Sequence, residues 1–276
     1  MMPPMPLVSL LMAAYNAEKY IAEAILSALN QSYTNIELLI INDGSSDRTE
    51  EIILSFGSEK IRYFSQENQG VAAARNVLLA AMQGDYFMIF DADDILPKDS
   101  ILSRMNVFYA NKNVYFVDGI VTRKTADLQQ IVEVCQPNYR GNPHPNLMRL
   151  DTRCFSVPAW LIRREKGKNY QMQVNMSHAE DLLFYVEISQ NKNYLYDYIE
   201  EDVLYYRIHE NMAMKKLEPL EKGYLDFYKS LKNYPVATFR ILAYLKYKIA
   251  RIMFLSYLRN KEIKKAIRAL WRIAWV

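Results

Sequence analysis

Residues 85–96 read Asp-Tyr-Phe-Met-Ile-Phe-Asp-Ala-Asp-Asp-Ile-Leu, an apolar run that ends in three carboxylates, Asp91, Asp93 and Asp94. One acid suffices to end a strand in a turn, and three within four positions repel one another. They become compatible around a divalent cation, because hard ions such as Mg2+ and Mn2+ take carboxylate oxygens as ligands. A cation held at the carboxyl end of a strand can in turn hold a diphosphate. The bland alternative is a turn capped by Asp94, which leaves at least one charge without a role.

Other residues carry two readings each. Asp43, in Ile41-Asn42-Asp43-Gly44-Ser45-Ser46-Asp47, suits a turn and helix start capped by Ser46 or Asp47. Equally, it suits a carboxylate that accepts a hydrogen bond from a base N–H or a ribose hydroxyl. Arg75, in the small-residue run Gly70 to Asn76, is either a solvated helix residue or a fork for a phosphate or carboxylate. Glu180 and Asp181 open an apolar helix, where acids complement the helix dipole; Asp181 is also placed to act as a general base on a hydroxyl. His209 is one of three histidines, and a single histidine is more often structural than a ligand.

The elements that position these residues follow from periodicity. Pro6 to Tyr15, Ile36 to Ile41, Ile61 to Ser65 and Asp85 to Phe90 are strand-like, whereas Ala17 to Asn30, Asp47 to Phe56 and Gln69 to Met82 have helical spacing. Continuous apolar strands alternating with helices predict a parallel α/β sheet covered on both faces. Ligands bind beyond the carboxyl ends of such strands. Tyr15 and Asn16, Asp43, and Asp91 to Asp94 all fall there, so three strand ends should converge on one crevice. Further on, Lys98 to Ala110 and Ala179 to Ser189 suit helices, and Val114 to Thr122 and Gln130 to Val134 suit strands. Gln136 to Pro145 suits a loop, Tyr194 to Arg207 a strand-loop-strand passage, and everything from Leu217 onward helix.

The bulk numbers exclude several classes. A chain of 276 residues, 51% hydrophobic and 24% charged, suits a folded protein of one large domain with an appendage. Two cysteines, Cys135 and Cys154, with no C-x-x-C pair, fit neither a disulfide scaffold nor a cysteine zinc site. No segment has the form of a signal peptide or a spanning helix, so a cytoplasmic location is expected. Phosphate-loop, dinucleotide-binding and zincin motifs are absent. The net charge of +3 is uneven: from Val236 onward ten Lys/Arg face one acid, so that segment is +9 and the remainder −6.

Six segments in order, Leu7 to Asn16, Leu29 to Tyr33, Asn42 to Asp47, Gly70 to Asn76, Asp91 to Asp94 and Glu180-Asp181, closely resemble glycosyltransferase family 2 over roughly residues 6–211. The resemblance implies a GT-A (Rossmann-like) fold and inverting transfer of a hexosyl or N-acetylhexosaminyl group from a nucleotide-sugar, usually UDP-linked. It also implies a divalent metal, Mn or Mg, bridging the donor diphosphate. Carried over by position, Tyr15 and Asp43 hold uracil and ribose, Ala13 stands where many relatives offer Thr or Ser to the donor, and Arg75 lies near the nucleotide. Asp91 meets the ribose or the metal, Ala92 borders the donor, Asp93 ligates the metal with Asp94 as a second acid, and Asp181 is the catalytic base with Glu180 nearby. His209 falls near the diphosphate. The departures are Ala13 and Asn42, the latter replacing the first acid of a frequent Asp-Asp-Gly turn.

The expected organisation is a catalytic domain over 1–211, nucleotide-binding to about 95 and acceptor-binding over about 96–211, followed by a basic helical extension over 212–276. That extension mixes cations with Leu245, Ile249, Ile252, Met253, Trp271 and Trp275. It suits either a helical pair packed on the domain or peripheral attachment to an anionic membrane at the inner face. The expected setting is bacterial surface-polysaccharide or lipopolysaccharide synthesis, with a saccharide or lipid-linked saccharide as acceptor and no nucleic acid as partner. The Q-x-x-R-W motif of processive synthases is absent, so one sugar is added per encounter. A sugar nucleotidyltransferase would carry a Gly-rich basic loop after the first strand, and Tyr15-Asn16-Ala17-Glu18 is not one. A nucleotide-holding module without turnover is the third reading.

Overall fold

The computed structural model describes residues 5–155, 157–176, 178–210, 212, 216–234 and 236–274; Trp275 and the 211/212 domain boundary expected above fall at or beyond these limits. Four strands, β1 (Val8–Ala14), β2 (Ile36–Asp43), β3 (Ile61–Gln66) and β4 (Tyr86–Ile89), pair in parallel in the order β3-β2-β1-β4. Between them run α1 (Ile21–Leu29), α2 (Thr49–Ser55) and α3 (Val71–Ala81). Side chains alternate along β1: Leu10 and Met12 join the core beneath α1, while Leu11 joins the core beneath α3. That alternation is why these strands are apolar at nearly every position. Pairing of Leu11 with Ile89 brings Ala13 and Asp91 out of the sheet at one level.

Beyond α4 (Ser100–Ala110) the sheet turns mixed. β5 (Val114–Thr125) is joined to β4 through β7 (Leu161–Arg163), antiparallel to both, and carries β6 (Ile131–Cys135) on its far part. β7 and the short helix α5 (His144–Leu147) were not expected. Three and four residues are too few to show a period, and α5 lies where a loop was anticipated.

The passage expected as strand-loop-strand is one strand, β8 (Leu195–Ile208), parallel to β5 with register shifts beside Ile120. The polar stretch Glu200-Glu201-Asp202 stays in the strand, with Glu200 and Glu201 facing solvent. Gly119 permits it: a Cβ there would run into Val203 Cγ1 and the Glu201 carbonyl oxygen of β8, so glycine lets the two strands come this close.

α6 (Glu180–Ile188), α7 (Leu217–Leu231), α8 (Phe239–Arg259) and α9 (Ile263–Ala274) complete the chain. Leu245, Ile249 and Met253 of α8 are fully buried, in the same core as Leu11, Phe87 and the apolar face of α6. The C-terminal helices are thus packed on the α/β sheet through the apolar stripe that the sequence displays.

Candidate active site

Asp91 to Asp94 form a tight turn just past β4, with Asp94 N–H donating to the Asp91 carbonyl at 3.2 Å. One ligand oxygen from each of Asp91, Asp93 and Asp94 lies within 4.8 Å of the others. Burial pushes the Asp93 carboxyl up, and so does the neighbouring Asp91, with His209 opposing. Burial, Asp93 and Asp91 push Asp94 well above the ordinary carboxylate range. The charged forms of Asp93 and Asp94 are therefore disfavoured as the turn stands, and its donors are hard oxygens. This set fits Mg2+ or Mn2+.

The turn is braced from β8. Arg207, 3% exposed, donates its backbone N–H to Asp94 Oδ1 at 2.9 Å and its Nε to the Asp93 carbonyl at 2.8 Å. Its other nitrogens reach Glu23 Oε2 on α1 at 2.7 Å and the Ala126 carbonyl, and its guanidinium lies over the Tyr20 ring. Two residues on, His209 Nε2 meets Asp93 Oδ2 at 2.8 Å, with its ring centroid 5.1 Å from that of Tyr20.

On the other side, Arg75 of α3 is buried rather than solvated. Its Nη2 donates to Asp91 Oδ1 at 2.7 Å and its Nη1 to Glu180 Oε1 at 3.4 Å. Burial opposes its charge, but Asp91, Glu180 and Asp181 outweigh this and raise its pKa. Asp181, next along α6, is pushed up to about 7 by burial and by Glu180, with Arg75 opposing. A carboxyl titrating near neutrality suits proton abstraction.

These groups open onto one cleft of about 1240 Å³, lined by Ala13, Tyr15, Arg75, Asp91, Ala92, Asp93, Asp181 and His209, among others. Tyr15 is 55% exposed there. Asp94 lies beneath, turned toward Arg207. Asp43, expected at the nucleotide, has a carboxylate that accepts from Gln66 Nε2 at 2.7 Å and from the backbone N–H groups of Gln69 and Gly70, each at 2.9 Å. It is 3% exposed and does not line the cleft. These contacts fix the loop that starts α3, the helix that carries Arg75. From the same β2–α2 turn, Asp47 does reach the cleft wall. It accepts from Glu18 N–H at 3.1 Å, while Asn16 Oδ1 accepts from Ser46 N–H at 2.9 Å, so the loops after β1 and β2 are clipped together.

Sequence reasoning gave no role to Arg207, Lys248 or the α7 wall. Arg207 stands in a segment singled out for its histidine, but its partners are 81 to 184 residues away along the chain. Leu220 and Tyr224 of α7 and Lys248 and Ile252 of α8 close the far side of the cleft. Gly223 packs against His178: a Cβ there would lie 2.5 Å from the His178 carbonyl oxygen. The approach of α7 thereby sets the loop that leads into Asp181.

A mostly parallel sheet covered by helices, with an acid turn after its fourth strand and an acid pair opening a later helix, is the GT-A arrangement. The chain belongs to glycosyl transferase family 2, which it matches over residues 9–170. An uncharacterized glycosyltransferase of Haemophilus influenzae is 46% identical over 110 residues, 39% of this chain and 44% of that protein. The uncharacterized glycosyltransferase RT0329 of Rickettsia typhi is 32% identical over 243 residues, 82% of this chain and 73% of that one. Similarity extends to the minor teichoic acid biosynthesis protein GgaB of Bacillus subtilis, 29% identical over 221 residues, 74% of this chain and 23% of GgaB. The chain thus spans less than half the length of two of these relatives. Among solved structures, S. aureus TarS 1-349 in complex with UDP-GlcNAc superposes with a TM-score of 0.69 at 18% identity, covering 98% of this chain and 80% of that one. The mannosyltransferase PcManGT from Pyrobaculum calidifontis, in complex with GDP-Man and Mn2+, gives 0.64 at 17% identity, covering 98% and 76%. At these identities the likeness is one of fold.

Proposed function

We propose that the chain is a metal-dependent, inverting glycosyltransferase. It moves a hexosyl or N-acetylhexosaminyl group from a UDP-linked donor to a saccharide or lipid-linked saccharide in bacterial surface-polysaccharide or lipopolysaccharide assembly, one sugar per encounter. The observation that carries this reading is the link through Arg75: one buried guanidinium joins Asp91 of the acid turn to Glu180 beside Asp181, on a shared cleft. The nucleotide-sugars held by the TarS and PcManGT structures, the Mn2+ in the latter and the role in GgaB's name support donor, metal and setting.

In this reading Ala13, Tyr15 and Ala92 border the nucleotide, and Asp43 acts on it through the loop that it anchors. Asp91 and Asp93 would hold the divalent cation, with Arg75 fixing the Asp91 carboxylate and His209 that of Asp93, and Asp94 as a second acid beneath them. A cation bound there neutralises charge on the departing diphosphate. Asp181 takes the proton of an acceptor hydroxyl as that oxygen attacks the anomeric carbon. The bond from that carbon to the diphosphate oxygen breaks, the electron pair leaves with UDP, and a single displacement inverts the centre. Arg75 holds Asp91 in place and lends positive charge to the donor side.

No helix among the described residues is long and apolar enough to cross a membrane. α9 buries Ala266, Ala269 and Ile273 and exposes Ile263, Ile267, Leu270 and Trp271, with Lys264, Arg268 and Arg272 also exposed. Such a face suits peripheral attachment to an anionic leaflet on the cytoplasmic side.

The deciding experiment is a screen of nucleotide-sugars for nucleoside diphosphate release with Mn2+ or Mg2+, alongside heat stabilisation by each nucleotide. UDP with metal should stabilise the protein and a UDP-sugar should turn over. Stabilisation by no nucleotide and release from no donor would overturn the reading.

A further inference from the structure

At its α8 end the cleft runs past Asp151 into a second groove of about 410 Å³, lined by Arg149, Asp151, Arg153, Arg240 and Tyr244. The charges there are unbalanced. Among the described residues Asp151 is the one acid lining the groove, and Arg153 already takes it: Arg153 Nη2 donates to Oδ2 at 2.6 Å, and its Nε lies 3.1 and 3.0 Å from the two oxygens. Lys248, at the join with the cleft, donates to the Leu150 carbonyl at 2.7 Å and adds a second cation that attracts Asp151, with no carboxylate ion pair of its own among the described residues. Arg149 and Arg240 are exposed and have no carboxylate partner among the described residues. The contrast with the other end is sharp: there the acids outnumber the cations and call for a metal, whereas here the cations are built in.

We infer that this groove binds phosphate on the acceptor, so that the enzyme acts on a phosphate-bearing saccharide. Guanidinium forks pair with phosphate oxygens two at a time, and a cluster of them matches a diphosphate or phosphodiester better than a single carboxylate. Arg149 follows α5 and Arg240 opens α8, so the acceptor would be gripped between the catalytic domain and the C-terminal helices. The inference rests on the glycosyltransferase reading and adds the class of acceptor to it.

The test uses the full chain and the double variant Arg149→Ala/Arg240→Ala, which alters two exposed side chains outside the reacting centre. Inorganic pyrophosphate is titrated calorimetrically in EDTA, which removes the metal-dependent donor site from the measurement. Wild type should bind with an affinity that falls as salt rises, and the variant should bind at least tenfold more weakly. Equal affinity, no binding by wild type, or equal loss with a trigalacturonate probe would overturn the assignment to phosphate. Heat stabilisation by UDP and Mn2+ should be the same in both proteins. Its absence from both would instead sink the glycosyltransferase reading itself. With turnover established, acceptor KM should rise tenfold or more in the variant for a phosphate-bearing acceptor, with kcat kept and a neutral saccharide unaffected; an equal KM change for both acceptors also refutes the groove. A KM effect confined to a lipid-diphosphate saccharide in detergent identifies a lipid-linked source, and one shared by a soluble phosphodiester oligosaccharide identifies the glycan backbone.

Discussion

Arg75 and Asp91 stand 2.7 Å apart, nitrogen to oxygen, across the junction of α3 and the acid turn, and the second arm of the same guanidinium reaches Glu180. Removing one partner of a buried pair strands the other's charge and costs about 3 kcal/mol or more. Arg75→Ala should therefore lower the urea midpoint markedly and abolish transfer. Arg75→Lys keeps the charge but not the fork, so it should recover more stability than activity. Recovery of both in equal measure would argue against a positioning role.

Asp181 makes a prediction with two signs. Its carboxyl titrates at about 7 in the fold, above the unfolded value of roughly 3.9. The native state holds this proton more tightly, so its contribution to stability is complete below the unfolded value and is lost as pH rises through 7. The base form needed for transfer appears over that same upper range, so kcat should rise as pH passes 7. Asp181→Asn should lose about 10²–10⁴-fold in transfer, keep stabilisation by UDP and metal, and melt higher than wild type at pH 8 but not at pH 4. A melting curve that parallels wild type at every pH would contradict the titration.

For Asp93, the repulsion that a metal relieves can be removed by mutation instead. Asp93→Asn should be at least as heat-stable as wild type in EDTA, yet gain little from Mn2+. Wild type should gain about 2.7 kcal/mol at a hundred times its dissociation constant. An undiminished response of the variant to Mn2+ would place the metal elsewhere.

Gly223→Ala adds one methyl group 2.5 Å from the His178 carbonyl oxygen. Either α7 or the loop before Asp181 must shift, at a cost of about 1–3 kcal/mol. We expect reduced kcat with donor affinity intact, read by comparing turnover with UDP-induced stabilisation.

Attachment through α9 predicts co-sedimentation with vesicles rich in phosphatidylglycerol and not with pure phosphatidylcholine. Ile267→Glu and Trp271→Glu, both at exposed positions, should abolish it without lowering thermal stability. Persistence of binding in the double variant would move the contact to another face.

By itself the sequence determined the parallel half of the fold and the acid turn, because both are written locally. Strands buried on both faces must be apolar throughout, helices between them carry a 3.6-residue period, and three acids after such a strand have few uses. What only the tertiary structure decided is who faces whom. Arg75 becomes a bridge because Asp91 and Glu180, 16 and 105 residues away, meet it, and Arg207 becomes the brace of the acid turn through partners on α1 and the β5–β6 loop. Asp43, at a strand end as anticipated, turns to the loop before α3 because backbone N–H groups there need an acceptor. In the mixed half of the sheet β5 and β6 were legible, but β7 is too short to show a period, and β8 stays continuous across polar residues because Gly119, on another strand, leaves room for it. Local pattern fixes elements, whereas the charge balance of a cleft is a sum over distant residues that no window of sequence contains.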